Sequence, residues 1–251
     1  MKATMTLLLL SLGVFCAMGQ DFSTFASGMP QMNAVLLSLS AHTNGFTALV
    51  NMELFTPEGR AEGTLPFRWS VVDGICRQEL LLTQMTQLPP EAREGFKRIG
   101  FESLVIISRP DRKLVYVIQP TLRAYCEVPI PQPVLDDIAK RTSALRLSST
   151  RLGDEAVGEH ACEKLEVVEA SSPDEIATVW RAKDLDAFPV RIKVSSPRRL
   201  MKATLSEVRL RKPDAALMEP PVGYLKLLDG KAFIPYALEL QKKRRGQNES
   251  R

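Results

Sequence analysis

The sequence predicts a mainly β protein with helices, an α+β fold in which a curved antiparallel sheet forms an incomplete barrel and helices cover the concave side. The segment Leu104–Val128 is the strongest indication. Its apolar runs Leu104–Ser108, Lys113–Ile118 and Arg123–Val128 are separated by two short turns, each with proline in second position. Proline there presets φ for a type I or II turn, and connections this short join antiparallel strands.

Further alternating segments lie on both sides of this meander. Phe46–Phe55 and Gly63–Val72 place apolar side chains at every second position, and Asp73-Gly74 is a hairpin signal before Ile75–Leu82. Later strands are predicted at His160–Glu169, Ile176–Ala182, Val190–Ser195 and Ala203–Arg209, with Val222–Leu228 as a candidate last strand. About ten strands accumulate enough twist to curl the sheet.

Three segments have helical periodicity or helix-start signals. They are Met29–Leu39, Pro89–Ile99 and Pro133–Leu147. We expect these helices to cover the concave side of the sheet.

The chain ends differ from the body. Residues 1–19 have the pattern of a signal peptide, with an apolar run at Met5–Ala17 and small residues at Ala17 and Gly19. The alternatives are a retained N-terminal anchor and a lipid-modified Cys16, which the bulky Phe15 before it disfavours. We expect residues 20–240 to form one domain and residues 241–251 to be a basic, disordered tail.

The charge is close to neutral. The chain has 33 Lys and Arg against 29 Asp and Glu, and removing residues 1–19 takes away one lysine, so the charge is 32 − 29 = +3. This balance does not favour nucleic-acid binding. We expect an exported, soluble, monomeric protein in the periplasm or outside the cell.

The sequence offers little catalytic or metal chemistry. There are two histidines, His42 and His160, and the pair His160/Cys162 has no second pair at metal-ligand spacing. Carboxylate pairs such as Asp136/Asp137 and Asp154/Glu155 are interpreted as helix-start and turn residues. We therefore expect no enzyme, no metal and no cofactor.

Three cysteines remain after residue 19, at positions 76, 126 and 162. An odd count allows at most one disulfide with one free thiol. The sequence leaves open a Cys126–Cys162 bond or three buried thiols.

Apolar strand faces are the remaining candidate for a site. The row Leu65, Phe67, Trp69 and Val71 is wide and aromatic, and in Lys113–Ile118 both faces are apolar. Such rows are usually core, but they also line cavities for acyl chains. The predicted lining residues are Val50, Met52, Leu65, Phe67, Trp69, Val71, Leu114, Tyr116 and Ile118.

The order of these segments resembles the LolA/LolB-like lipoprotein-carrier superfamily, whose uncharacterised bacterial secreted relatives it is most similar to. The resemblance spans roughly Met29–Leu228 and rests on three segments. The first is Gly63–Trp69. The second, Arg109–Pro120, is similar to the family's D-G-K-x-x-[WY]-x-x-x-P strand, and the third, Met218–Tyr224, is similar to its F-x-P-P-x-G turn. Arg112 stands where the family has a turn glycine, and Met218-Glu219 where an aromatic residue often precedes the prolines. No cavity arginine is transferred, because neither Arg68 nor Arg77 aligns.

The resemblance implies an eleven-strand half-barrel closed by helices, with a cavity for lipoprotein acyl chains. The first hypothesis is therefore a periplasmic carrier or binder of lipidated or apolar ligands, served by envelope export machinery. The second is a non-enzymatic envelope interaction protein with a closed core, which would use the basic residues Arg198, Arg199, Lys202 and Lys242–Arg245. A hydrolase would require His42 or His160.

Overall fold

The computed structural model describes residues 37, 45–136, 139, 147–169, 172–196 and 199–249. The predicted signal peptide, Cys16, His42 and all of the predicted helix Met29–Leu39 except Leu37 lie outside the described residues. Most described residues belong to one sheet that is not closed into a barrel. Its strands are β1 (Gly45–Phe55), β2 (Ala61–Val72), β3 (Ile75–Leu80), β4 (Leu104–Arg109), β5 (Leu114–Gln119), β6 (Ala124–Pro129), β7 (Leu147–Val157), β8 (His160–Glu169), β9 (Ser172–Ala182), β10 (Phe188–Ser196), β11 (Arg199–Arg209) and β12 (Leu225–Lys226).

The sheet consists of two meanders joined side by side. Its strand order is β12-β6-β5-β4-β3-β2-β1-β11-β10-β9-β8-β7, so β1–β6 form one meander, β7–β11 form the other, and β1 pairs with β11. These pairs are antiparallel, whereas β12 pairs with β6 in parallel. The predicted class, a curved and open antiparallel sheet with helices, is confirmed.

The predicted turns form as their residue types require. Asp73 and Gly74 have φ values of 48° and 79°, which are the left-handed conformations that a tight hairpin between β2 and β3 needs. In the β4–β5 turn, residues Pro110–Arg112 form a short 3₁₀ turn and Lys113 is left-handed at φ 57°. Each strand of the predicted central meander therefore lies within one residue of its predicted limits.

Strand β7 was not predicted from the sequence. A helix was predicted as far as Leu147, and Asp154 and Glu155 were interpreted as turn residues. Both interpretations are wrong, because all three residues belong to this strand. Residues 132–136 are helical, but Leu147 already pairs with Glu169 of β8. The strand has polar residues on both faces, so it lacks the alternation by which a half-buried strand is recognised.

Two helices have defined limits, α1 (Pro90–Ile99) and α2 (Phe233–Glu249). Proline in the first turn and the left-handed Gly100 after the last turn fix the ends of α1. Helix α2 includes residues 241–249, for which the sequence predicted disorder. Within this helix, Lys243 pairs with Glu239 one turn earlier at 2.7 Å. Across the described residues, no helix has both the length and the apolar composition of a membrane span.

Between β11 and α2, residues 210–229 cross the outer face of the first meander. We call this segment the C-terminal strap. Lys212 Nζ lies 2.6 Å from Asp73 Oδ2 in the β2–β3 turn, Met218 is buried, and Leu225–Lys226 pair with β6. The chain then rounds the β6 edge, and α2 packs against the opposite, inner face through Phe233 and Ala237.

Candidate ligand-binding face

Six of the nine predicted lining residues form one continuous row on the inner face. Val50 of β1 lies opposite Phe67 of β2, and Met52 lies opposite Leu65. All six are at most 6% exposed and belong to the main buried cluster. They are Val50, Met52, Leu65, Phe67, Trp69 and Val71.

The apolar row continues in both directions across the sheet. Strand register places Leu80 of β3 beside Phe67, and Ile106 of β4 opposite Val117 of β5. On the other side, Met52 is followed by Ala203 of β11 and then by Ile192 of β10. Farther on, Val179 and Leu165 continue the row into β9 and β8.

Uncharged polar groups interrupt the row in the first meander. Gln78 and Ser108 are buried on the inner face, because they pair with Trp69 and Cys76 across neighbouring strands. Gln119 is also buried, and its side chain donates to Ser103 O at 2.8 Å and accepts from Thr121 N at 2.9 Å. Of the four buried polar or charged residues among those described, Arg109 alone is charged, and it lies on the other side of the sheet.

Helices and loops supply a cover for this face. Phe96 of α1, Phe101 after it, and Phe233 of α2 belong to the same buried cluster as the row. The two helices are tied together by Gln241 Nε2, which donates to Arg98 O at 2.7 Å. The row is therefore closed from water in this structure.

The other three predicted lining residues, Leu114, Tyr116 and Ile118, lie on the opposite face of β5. They form a second buried cluster with Val105 and Ile107 of β4. Since successive side chains of a strand point to opposite faces, Val115 and Val117 take the inner positions instead. The sequence showed that both faces of this strand are apolar, but it did not show that the strap covers the outer one.

A buried arginine fastens the strap to the outer face. Arg109 forms a bidentate ion pair with Asp111, with atom separations of 2.7 and 3.0 Å, and donates to Met218 O at 3.3 Å and to the Glu219 carboxylate. Arg112 Nη2 holds the same carboxylate at 2.8 Å. The hydrogen bonds from Arg109 hold the pKa of Asp111 below its usual value. Arg109 at the end of β4 and Arg112 in the following turn therefore hold Met218 and Glu219 in place. These two residues begin the segment Met218–Tyr224, which is similar to the family's F-x-P-P-x-G turn.

The three described cysteines are free and buried, which agrees with the buried-thiol alternative. Desolvation raises the pKa of the Cys76 and Cys126 thiols to about 12, and it also raises the pKa of Cys162. Because the thiolate is the nucleophilic form, none of the three is activated.

His160 does not contact a nucleophile that could use it. Its Nδ1 lies 2.8 Å from Asp184 Oδ2 on an exposed hairpin end, and Cys162 Sγ donates to the backbone oxygen of His160 at 3.5 Å. The described residues contain no group of three or more His, Cys, Asp or Glu side chains that could hold a metal ion.

No family model matches this chain, and no curated protein matches it. Solved structures are similar in fold. An uncharacterized conserved protein from Thermus thermophilus is 14% identical and covers 77% of this chain and 96% of its own, with a TM-score of 0.45. The Mycobacterium tuberculosis lipoprotein LppX is 11% identical and covers 73% of this chain and 98% of its own, with a TM-score of 0.42.

A third similar structure is a putative outer membrane lipoprotein-sorting protein domain from Vibrio parahaemolyticus. It is 10% identical and covers 75% of this chain and 95% of its own, with a TM-score of 0.30. Two of these three structures are thus a lipoprotein and a lipoprotein-sorting domain by name, as the LolA-like resemblance of the sequence leads one to expect. At these identities and TM-scores, what the chain binds has to be inferred from its own residues.

Proposed function

We propose that this chain is an exported carrier or binding protein for lipidated or apolar ligands, with residues 20–240 as its one domain. The observation that supports the proposal is the apolar inner face, which runs through both meanders and has buried polar residues without charge at Gln78, Ser108 and Gln119. Each ligand methylene taken from water onto such a face contributes about 0.8 kcal/mol. Acyl chains of a lipid or a lipoprotein are the ligands that such a face fits best.

Ligand entry requires movement of the cover, because the row is closed. We expect α2 to move off the row, on which it packs through Phe233 and Ala237. The hydrogen bond from Gln241 Nε2 to Arg98 O, which ties α2 to α1, would then break. The strap does not have to move, because it lies on the opposite face.

The two tryptophans of the chain make a direct test. Trp69 is in the row. Trp180 is 6% exposed and belongs to the same buried cluster, but it lies on the opposite face of β9 from Val179, where Lys164 Nζ and Arg191 Cζ are 5.1 and 5.6 Å from its ring centroid. Trp180→Phe leaves Trp69 as the reporter, and Trp69→Phe leaves Trp180 as the matched control.

The experiment titrates each variant with a brominated fatty acid, whose bromine quenches tryptophan fluorescence on contact. We expect saturable quenching of Trp69 and little quenching of Trp180. Native mass spectrometry of the protein from its producing cells should then show a bound apolar molecule. Absence of quenching at Trp69 and of bound mass would overturn the proposal.

The second candidate, a non-enzymatic envelope interaction protein with a closed core, is favoured by the burial of the row. All six inner row residues are at most 6% exposed. If Trp69 is never quenched while the protein still captures an envelope partner, this candidate replaces the carrier. Partner capture that is lost on deletion of residues 241–251 would locate the contact on the basic end of α2.

A further inference from the structure

Polar atoms gather at the end of the inner row that lies nearest the β2–β3 turn. Gln78 pairs with Trp69 between β2 and β3, and Ser108 pairs with Cys76 between β3 and β4. These four residues are at most 2% exposed, and we call them the polar end of the row. From there, Phe67 continues the row away from the turn as an apolar surface. A ligand that lies along the row therefore meets polar atoms at one end and apolar side chains beyond it.

The indole N–H of Trp69 is a buried donor that has no hydrogen-bond acceptor among the described residues. On the β1 side, its ring packs edge to face on Phe46, with the centroids 4.9 Å apart. On the β3 side, its N–H faces the Cys76 thiol, since burial raises the pKa of this thiol to about 12 and the indole N–H opposes that rise. The thiol itself donates to Gly74 O at 3.9 Å, and its sulfur is a weak acceptor. An oxygen brought to this N–H would therefore gain a hydrogen bond that the protein does not supply.

The other tryptophan faces an oxygen of the protein instead. Trp180 Nε1 is also buried without a well-directed hydrogen bond, but it lies beside the carboxylate of Glu155. The pKa of Glu155 is lowered first by the hydrogen bond from Lys164 and then by the Trp180 indole. Trp69 is therefore the indole whose partner a ligand has to bring.

The inner face offers no buried charge to a ligand head group in the part of the chain that the structure describes. Arg109, the buried charged residue, lies on the outer face within its own ion pairs. A charged head group at the polar end would lose water without meeting an opposite charge, which costs far more than burial of a neutral group. Farther along the inner face, Gln119 already uses its amide on Ser103 and Thr121. The group that fits the polar end is thus an uncharged oxygen acceptor.

We propose that the polar end of the row is a subsite for the carbonyl oxygen of an ester-linked acyl chain, with Trp69 Nε1 as its donor. The inference rests on the carrier function proposed above and narrows the ligand from apolar molecules to acyl esters. The chain runs from Trp69 over Phe67 and Leu65, so the ligand binds in one direction. An ester fits better than an alcohol or an amide, because it carries an acceptor oxygen and has no donor of its own to satisfy.

The test compares two uncharged ligands of equal chain length, the methyl ester of hexadecanoic acid and the methyl ether of hexadecanol, by calorimetric titration of the full chain. We expect the ester to bind about three- to tenfold more tightly, as one net hydrogen bond gives. Trp69→Phe keeps an aromatic ring but loses the N–H, so this ratio should fall toward one. Trp180→Phe is the matched control and should keep the ratio of the unchanged chain.

A second measurement needs no substitution in the row. With isotope-labelled tryptophan, each indole N–H gives one NMR resonance, and Trp180→Phe assigns the two. We expect the ester to move the Trp69 indole proton downfield and the ether to move it clearly less. The Trp180 resonance should stay in place with both ligands. If Trp69→Phe does not fold, this measurement decides alone.

Equal affinities for ester and ether, or a Trp69 resonance that the bound ester does not move, would overturn the subsite. The carrier function would still stand if the brominated fatty acid quenches Trp69. Absence of quenching and of all ligand binding would remove the carrier function and the subsite with it. A free fatty acid that moves the Trp69 resonance as far as the ester does would overturn the restriction to uncharged groups.

Discussion

The two meanders of the sheet share their topology and their apolar inner face, but they differ in what lies outside. Every residue of β4 is buried, because helices cover its inner face and the strap covers its outer face. In β7, all the described side chains from Ser148 to Ala156 except Gly153 are exposed. The first meander is therefore the middle of three layers, whereas the second ends in an edge strand, β7, that meets solvent on both faces.

The edge strand of the second meander, β7, is charged on both of its faces instead of covered. Asp154 pairs with Arg151 at 2.8 Å and with Lys183 at 3.0 Å, and Glu155 pairs with Lys164 at 2.9 Å. Exposed pairs like these contribute little to the free energy of folding. We therefore expect the strap, and not the surface ion pairs, to make the first meander the more stable half.

The largest expected effect comes from truncating a side chain beneath the strap. Ile107→Ala removes a fully buried side chain from between β4 and the strap and should lower the free energy of unfolding by about 2–5 kcal/mol. Ile176→Ala, at 38% exposure on β9, is the matched control and should change it by about 0.5 kcal/mol or less. Urea denaturation measures both, and equal losses would mean that the strap does not cover the first meander in solution.

A smaller effect is expected from loosening the strap itself. Glu219→Gln removes the carboxylate that Arg109 and Arg112 share and leaves a buried guanidinium less well paired. We expect a loss of about 1–2 kcal/mol in the free energy of unfolding. The matched change in the second meander, Glu155→Gln, removes an exposed pair and should give a clearly smaller loss. The reverse order would show that the ion pairs of β7, and not the strap, stabilise the sheet.

The pH dependence offers a finer comparison. The pKa of Asp111 is held below 3.8 by hydrogen bonds from Arg109. A depressed carboxyl pKa gives stability that is present above the unfolded value and is lost as the pH falls through the folded value. Melting temperatures should therefore fall below about pH 4, and Asp111→Asn should flatten that fall.

Asp184→Asn is the control for the acid range. The pKa of Asp184 is also lowered, first by its hydrogen bond to His160, but the pair lies on an exposed hairpin end. We expect this substitution to flatten the acid profile less than Asp111→Asn does. An equal effect would mean that the burial of Arg109 adds nothing to its pair.

The sequence predicts the first meander better than the second, and the reason is physical. Strands β4 and β5 consist of apolar residues between strong turn signals, so local residues determine their limits. Strand β7 is recognisable through its pairing with β8, because Ser148, Thr150 and Asp154 carry no periodic apolar signal. Its limits depend on the hairpin pairing with β8 and not on an apolar pattern of its own.

The predicted lining residues divide between the two faces of the sheet for a related reason. Alternation along β1 and β2 predicted that Val50 and Phe67 lie on apolar faces of their strands, and the two residues pair across these strands. Alternation along β5 could not decide which of its two apolar faces belongs to the row, and the answer depends on the strap, about a hundred residues later in the chain. Helix α2 was not predicted, because the basic and polar composition of residues 241–251 is typical of a disordered segment.

Thiol labelling would compare local opening in the two halves without any substitution. Cys76 and Cys126 lie in the first meander and Cys162 lies in β8, and all three are at most 1% exposed with raised thiol pKa values. Labelling of the folded protein therefore requires local opening. Opening next to the edge strand β7 breaks fewer packed contacts, so pulsed alkylation followed by peptide mass spectrometry should modify Cys162 first.

A variant that loosens the strap provides the internal control for this labelling experiment. Because β12 pairs with β6, and Cys126 lies on β6, Glu219→Gln should accelerate labelling of Cys126 and leave Cys162 unchanged. Acceleration at both sites would mean that the sheet opens as one unit, and the two meanders would then share one stability despite their different outer layers. Acceleration at Cys126 alone would show that the strap protects the half of the sheet that it covers.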